Sequence, residues 1–472
     1  MRARNINASD PDLAAKPKGR QRTSGTAQPA ISNYAIWISI GITVAVIVLA
    51  VLAALTGFAL PGSVLGGDTA ELAAGAIFVG AYLALAIGKI PGLRIDRAGV
   101  ALVGAALMVG AGVLTLEEAN RAVDFATITL LLGIMIVVAN LRLSGFFAFA
   151  TWWVARHVHR PIVLLAAVTL VSGLFSAFLV NDAICLVLSP IVLDLTLNLK
   201  RRPTPYLLAV AMASNVGSTA TITGNPQNMM IGSFSHLPYL WFTIALAPVA
   251  LVGLLLTVLL VALAYQAEFA TGVRLVAAPP AVQVRKVLLV RALLATAVMV
   301  ALFLAGQPPA KAAIVVGGLL LLTRRLRSES IYAEIDWSLL LMFVGLFIIV
   351  AGAQRALLTP DLLAAAGRLH LDRIPLLSVV TAVLSNLVSN VPAVLVLKPF
   401  IDPLSNHETA WLTVAMASTL AGNFTVLGSI ANLIVVQKAA RRGVQISFWE
   451  YLKVGAPLTV LTIGIGTLWL CR

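Results

Sequence analysis

The sequence predicts an all-α polytopic membrane protein: about eleven transmembrane helices plus two re-entrant hairpins, in an inverted-topology repeat with broken helices. Three observations predict it. Apolar residues make up 60% of the 472-residue chain and charged residues only 11%, with a mean hydropathy of +0.97, whereas soluble proteins average ~25% charged. The apolar runs are too long for barrel strands. Three blocks of sequence also recur in the same order in the two halves of the chain. This composition excludes a soluble enzyme, and it excludes disorder for most of the chain.

Residues 1–33 form a basic, Pro/Gly/Ser-containing tail that reads as disordered and cytoplasmic. Apolar spans follow near 35–58, 69–88, 98–116, 124–141, 206–235, 240–264, 288–306, 311–323, 336–354, 410–436 and 453–470. The first is too long for a signal-peptide core and reads as a retained anchor. Segments 34–94 (N-terminal helices), 95–270 (first repeat), 271–310 (cytoplasmic linker and helix) and 311–472 (second repeat and last helix) divide the chain.

The net charge of +14 is a topology signal. With the tail inside and the spans alternating, 26 of the 33 Lys and Arg face the cytoplasm and 6 face outside. That asymmetry places the N-terminus in the cytoplasm and the C-terminus outside, in the cell inner (plasma) membrane. The partner this implies is the lipid bilayer, not nucleic acid. Cys185 and Cys471 supply neither a disulfide framework nor a metal cluster.

The repeat is read from three pairs. Asp124 and Gly133 match Asp336 and Gly345. Ser176, Asn181 and Pro190 match Ser385, Asn390 and Pro399. VAMAS at 210–214 recurs at 414–418, followed by Thr221/Thr425, Gly224/Gly428 and Asn228/Asn432. The span from Asp124 runs inward and its partner from Asp336 runs outward, so the halves are inverted. Inverted repeats are the architecture of secondary transporters, with the site near the midplane.

Segments 161–199 and 375–404 fit poorly as single spans. Arg160 and Lys200–Arg202 bracket the first, so both its ends face the cytoplasm and it reads as a hairpin with its tip near Asn181-Asp182. Its inverted copy has its tip near Ser389-Asn390, with Pro392 in the first turn of the returning arm. Segments 206–235 and 410–436 carry the polar runs NVGSTATITGNPQN and TLAGNFTVLGSIAN. Each reads as a broken helix whose halves meet at a loop. Asn225 is placed to cap its second half with Pro226 at the first position, and Ser429 holds the equivalent place. Half-helix N-termini aimed at the midplane stabilise an anion, and unwound carbonyls coordinate a cation.

At these residues the chain resembles the ion transporter superfamily: arsenite permeases, sodium/proton antiporters of the same branch, citrate transporters and sodium-coupled dicarboxylate transporters. GNPQN at 224–228 resembles the family's GxPxN signature, and Asn181-Asp182-Ala183 resembles the hairpin tip of the arsenite and anion permease branch. The dicarboxylate transporters carry Ser-Asn-Thr at both tips; here each Asn is kept and each Thr is lost. Ser176 and Ser385 fit the family's Ser or Thr five residues before each tip Asn. The resemblance covers roughly 95–472. It implies a scaffold part and a transport part, often in a homodimer.

Candidate substrate and ion ligands are therefore Ser176, Asn181, Asp182, Thr219, Thr223, Gly224, Asn225 and Asn228 in the first half. In the second half they are Ser385, Ser389, Asn390, Asn423, Thr425, Gly428, Ser429 and Asn432. An acid within the bilayer is functional by default, so Asp182 reads as a proton carrier or cation ligand, with capping of its own helix arm as the structural alternative. Lys398 reads as snorkelling to the interface. Asp124 and Asp336 read as helix caps, and His157 and His159 as interfacial. The function that follows is secondary active transport of a small anion, an arsenite-like or inorganic oxyanion or an organic acid such as citrate. The alternative is a sodium/proton antiporter. The coupling species is a proton or sodium ion, with no other cofactor. No G-x-x-x-x-G-K-[ST] phosphate loop or H-E-x-x-H motif is present, which disfavours a pump or an intramembrane protease. A separate soluble ATPase partner, of the kind some arsenite permeases have, stays open.

Overall fold

Gly133 and Gly345 mark the same helix crossing in each half. A Cβ on Gly133 would lie 2.5 Å from the Ala313 backbone, and one on Gly345 would lie 2.5 Å from the Ala101 backbone. Close approach through small residues is how helices pack where no hydrophobic drive separates protein from lipid. Helix Phe125–Ser144 therefore packs on Pro309–Leu321, and helix Trp337–Leu357 packs on Arg97–Gly110. Asp124 starts the first long helix by accepting from the Ala126 and Thr127 N–H groups, and Asp336 accepts from Leu339 N–H in its counterpart.

These relations come from a computed structural model, which describes residues 67–87, 95–270, 284–322, 326–357 and 370–472. The basic tail, the first predicted span and most of the predicted linker lie outside the described residues. The described residues are helical with short 3-10 turns and no strand. Seven of their helices are long and apolar enough to cross a membrane, and the chain is a multi-pass membrane protein.

Lipid-facing surfaces are apolar by default. Helix Tyr239–Ala264 exposes Leu251, Leu255, Leu259 and Leu263, and helix Lys286–Leu304 exposes Val290, Leu294 and Val298. That i, i+4 stripe turned outward, on helices apolar all round, is a membrane pattern. Trp449 and Trp469 sit near opposite ends of helix Phe448–Leu470 and are exposed, as expected of an aromatic belt.

Each hairpin is two helices joined by a sharp turn: Pro161–Phe178 to Asn181–Asn198, and Ile374–Val388 to Asn390–Ile401. The turns fall at Leu179-Val180 and Ser389, so Asn181 and Asn390 each open a returning arm. By length alone each 18-residue arm of the first hairpin could cross a membrane, yet their junction contacts the last turn of helix Pro203–Ser218, beside the first break. Asn181 Nδ2 donates to Asn215 Oδ1 at 3.0 Å.

Both broken helices are broken where the polar runs predicted. The first is Pro203–Ser218, a 3-10 turn at Ile222–Gly224, then Pro226–Ser235; the second is His407–Ala421, Val426–Gly428, then Ile430–Ala440. The longest element not anticipated is helix Phe146–His157, between the first long helix and the first hairpin. It carries exposed Trp153 and Phe149 with Arg156 stacked over the Trp152 ring at 5.5 Å. Aromatic and basic groups together suit a helix lying at the interface, which is where His157 was expected.

Candidate functional site

The hairpin tips are strained at equivalent positions. Val180 has φ +27° and Ser389 has φ +79°, and residues held there cost of order 1–3 kcal/mol. Positive φ is a genuine outlier for a β-branched residue such as Val180. The turn reverses the chain in one or two residues and aims the first turns of the returning arms at the breaks.

The breaks are held by side chains that replace the lost helix ladder. Asn228 Nδ2 donates to Ser218 O at 3.1 Å and Thr221 O at 3.0 Å. Asn432 Nδ2 does the same for Gly422 O at 2.7 Å and Thr425 O at 3.1 Å. Gly224 and Gly428 lie where a Cβ would meet Ser218 O at 2.1 Å and Gly422 O at 2.9 Å, so each loop closes only with glycine. Asn225 caps its half-helix as predicted, accepting from Asn228 N–H at 2.9 Å, with Pro226 at the first position. Ser429 holds the N-cap place, but its hydroxyl makes no cap bond; it donates instead to Asn215 Oδ1 at 3.1 Å.

The two halves are tied by a reciprocal set of bonds. Asn215 Nδ2 donates to Asn423 Oδ1 at 2.9 Å and Asn432 Oδ1 at 3.0 Å. Thr419, the residue matching Asn215, accepts from Asn225 Nδ2 at 3.0 Å and donates to Asn228 Oδ1 at 3.4 Å. Each first half-helix thus holds the break of the other repeat. Asn215 and Thr419 were missed in the sequence because they follow the identical VAMAS block and differ from each other. Their signal was position: each is the first residue of its polar run.

A cavity of about 40 Å³ lies where the tips meet the breaks. Asn181, Asp182, Ser389, Asn390 and Ser429 line it, with Pro226, Gln227 and Ile430. Four helices of the hairpins and breaks, each of ten residues or more, begin there, at Asn181, Pro226, Asn390 and Ile430. Among the described residues, Asn181 Oδ1 and Asn390 Oδ1 are buried without a hydrogen-bond partner. The Asp182 carboxylate faces the backbone N–H of Ala431, in the first turn of the half-helix of the opposite repeat. From the other side Leu85, Arg97, Leu339 and Met342 close the cavity. Arg97 immediately precedes the span predicted at 98–116 and is one of the 26 basic residues counted as cytoplasmic from the sequence.

The other predicted residues fall around this cavity. Ser176 and Ser385 are buried on the entering arms, and their hydroxyls lack partners among the described residues, as do those of Ser172 and Thr381. Thr219 donates back to Asn215 O at 3.2 Å. Thr221 donates to Ala177 O and bonds Thr223, which bonds the Tyr239 hydroxyl at 2.8 Å. Thr223, Gly224, Asn225, Asn228, Asn423, Thr425, Gly428 and Asn432 build the frame and do not line the cavity. A second cavity of about 470 Å³ lies beyond the first break, between Ile222, Met229, His236, Tyr239 and Gln307. It sits at the helix ends predicted to face outside. Lys398 pairs with Asp402 at 2.7 Å, part-exposed at a helix end, and Asp194 pairs with Arg442 at 3.1 Å.

Hairpins, paired breaks and a buried polar cavity between them define a membrane transporter of the inverted-repeat class. Residues 82–421 match the citrate transporter family, and the chain belongs to it. An uncharacterised transporter of Mycobacterium tuberculosis (strain ATCC 25618 / H37Rv) is 30% identical, covering 84% of this chain and 96% of that protein. A silicon efflux transporter of Oryza sativa subsp. japonica is 28% identical, covering 83% and 96%. The crystal structure of the Alcanivorax borkumensis YdaH transporter, described as having an unusual topology, matches with a TM-score of 0.56 at 14% identity. It covers 85% of this chain and 97% of that one. At that identity the likeness concerns the fold.

Proposed function

We propose that this transporter carries a small inorganic oxyacid or its anion, coupled to a proton or sodium ion, by alternating access. Its home would be the cell inner membrane, N-terminus in the cytoplasm. The cavity at the hairpin tips carries the reading. Four helix N-termini favour negative charge at one point, and the free amide oxygens of Asn181 and Asn390 are available to hydroxyl donors or a cation.

Size favours an oxyacid over an organic acid. A water needs roughly 10–15 Å³ by the same measure, so 40 Å³ admits about three water-sized centres. A central atom with its oxygens, about four or five non-hydrogen atoms, suits that space; citrate, with about thirteen, belongs to pockets of ~300 Å³ or more. The silicon efflux relative in rice points the same way. The larger cavity beyond the first break supports an access path from the opposite side.

Asp182 is the proposed coupling group. Its carboxylate, with the two amide oxygens, is also an oxygen donor set that suits a hard cation, which keeps the sodium/proton antiporter as the second reading. Purified protein in liposomes with a pH-sensitive dye inside separates the two. Arsenite, silicate, phosphate, sulfate, citrate, succinate and sodium would be added in turn, with and without a proton gradient. A proton flux triggered by arsenite or silicate supports the oxyacid reading. A flux with sodium alone supports the antiporter, and one with citrate but neither oxyacid contradicts the size argument.

A further inference from the structure

Among the described residues, Arg97 is the one basic side chain lining the cavity, and it comes from outside the hairpins and breaks. It opens helix Arg97–Gly110, which packs on helices Gly67–Ile87 and Trp337–Leu357. Asp96, the residue before it, is occupied as the helix cap, accepting from Gly99 N–H at 2.8 Å. Among the described residues Arg97 is half-buried and belongs to no ion pair within 4.0 Å. Its charge interacts with Asp182 across the cavity.

We propose that Arg97 is the oxyanion-recognition residue: its guanidinium holds the ionised oxygen of the substrate against the hairpin tips. This rests on the oxyacid reading of the same site. A guanidinium is charged at any working pH and presents a planar fork of donors suited to two oxygens on one centre. The groups facing it would complete the shell. Asn181 and Asn390 contribute buried amide oxygens without partners, which accept from the substrate's remaining hydroxyls. Arg97 and Asp182 are opposite in charge, so an empty cavity is balanced. An arriving anion competes with Asp182 for Arg97, and Asp336, at the start of the neighbouring helix, adds to the negative charge around Asp182. Among the described residues, further titratable groups nearby are Cys185, on the Asp182 arm, and Tyr82, whose hydroxyl donates to the carbonyl of the lining residue Pro392 at 3.3 Å.

Arsenous and silicic acid are mostly neutral at pH 7 and ionise as pH rises. If Arg97 binds the ionised oxygen, the wild-type KM for arsenite or silicate falls between pH 7 and pH 9. Arg97→Gln should raise KM at least tenfold, the scale of one charge-assisted hydrogen bond, and flatten that pH dependence. Arg97→Lys should restore part of both. Arsenite or silicate should also protect Arg97 of the wild-type protein from phenylglyoxal, read by peptide mass, a test that needs no variant to fold. Equal KM and pH slope in wild type and Arg97→Gln, or equal phenylglyoxal labelling with and without substrate, overturns the assignment. Wild-type protein moving neither acid overturns the oxyacid reading itself, and the assignment with it.

Discussion

Asn215→Ala removes the side chain that joins the first hairpin to the second break. Its amide directs both donors to Asn423 and Asn432 and takes bonds from Asn181 and Ser429 on Oδ1. That is all the bonding an Asn side chain can do. Hydrogen bonds between helices in membranes average ~0.6 kcal/mol, which gives about 2.4 kcal/mol for the set. A buried group left unsatisfied costs ~1–3 kcal/mol, which raises the figure, so the expected loss is about 2–4 kcal/mol. The equivalent change, Thr419→Ala, removes three bonds and should cost less, at most about 1.8 kcal/mol. Its bonds run from 3.0 to 3.4 Å, and Asn225 keeps a second partner in Ser218. Asn215→Thr, which puts the second repeat's residue in the first, should fall between. Thermal melts of detergent-solubilised protein followed by size exclusion would rank the three. An Asn215→Ala melt matching wild type, or a larger loss for Thr419→Ala, would refute the reasoning.

Gly345→Ala drives a Cβ into the Ala101 backbone and should lower stability by about 1–3 kcal/mol. Gly318→Ala, with open space around it, should be neutral or gain up to about 1 kcal/mol; the same melts check both. Asn181→Ala and Asn390→Ala should each weaken substrate binding several-fold in a direct binding titration. A loss confined to one variant would contradict a site shared between repeats. Glu118 lies outside the spanning helices. Its carboxylate is held below its usual range first by the Thr115 backbone N–H, then by the Thr115 hydroxyl and Arg355. Its contribution is therefore present above the ordinary glutamate range and fades as pH falls through its lowered value. Glu118→Gln should flatten the stability profile below about pH 4.3, and an unchanged profile would count against this pairing.

Much of the fold was legible because lipid removes choices. Backbone groups must be satisfied within helices, so long apolar runs gave spans and a polar run within one gave a break. The repeat exposed the pairing of Gly133 with Gly345 and of Asn228 with Asn432 before any contact was known. The division of labour inside the site was less legible. Asn228 and Asn432 look like ligands in sequence, but their donors go to carbonyls freed by the breaks. Arg97 looks like one more cytoplasmic charge, because nothing local reveals that its helix starts beside a hairpin tip 84 positions away. Helix Phe146–His157 escaped because its apolar residues are aromatic and its end is basic, an interfacial composition that span-finding passes over.

The central claim is that Asp182 couples an ion to substrate movement at the hairpin tips. Asp182→Asn in liposomes tests it most directly, with gradient-driven uptake of arsenite or silicate measured beside exchange of labelled substrate at equilibrium. Loss of driven uptake with exchange retained is the predicted result. Driven uptake at the wild-type rate would remove Asp182 from the coupling mechanism and contradict the account.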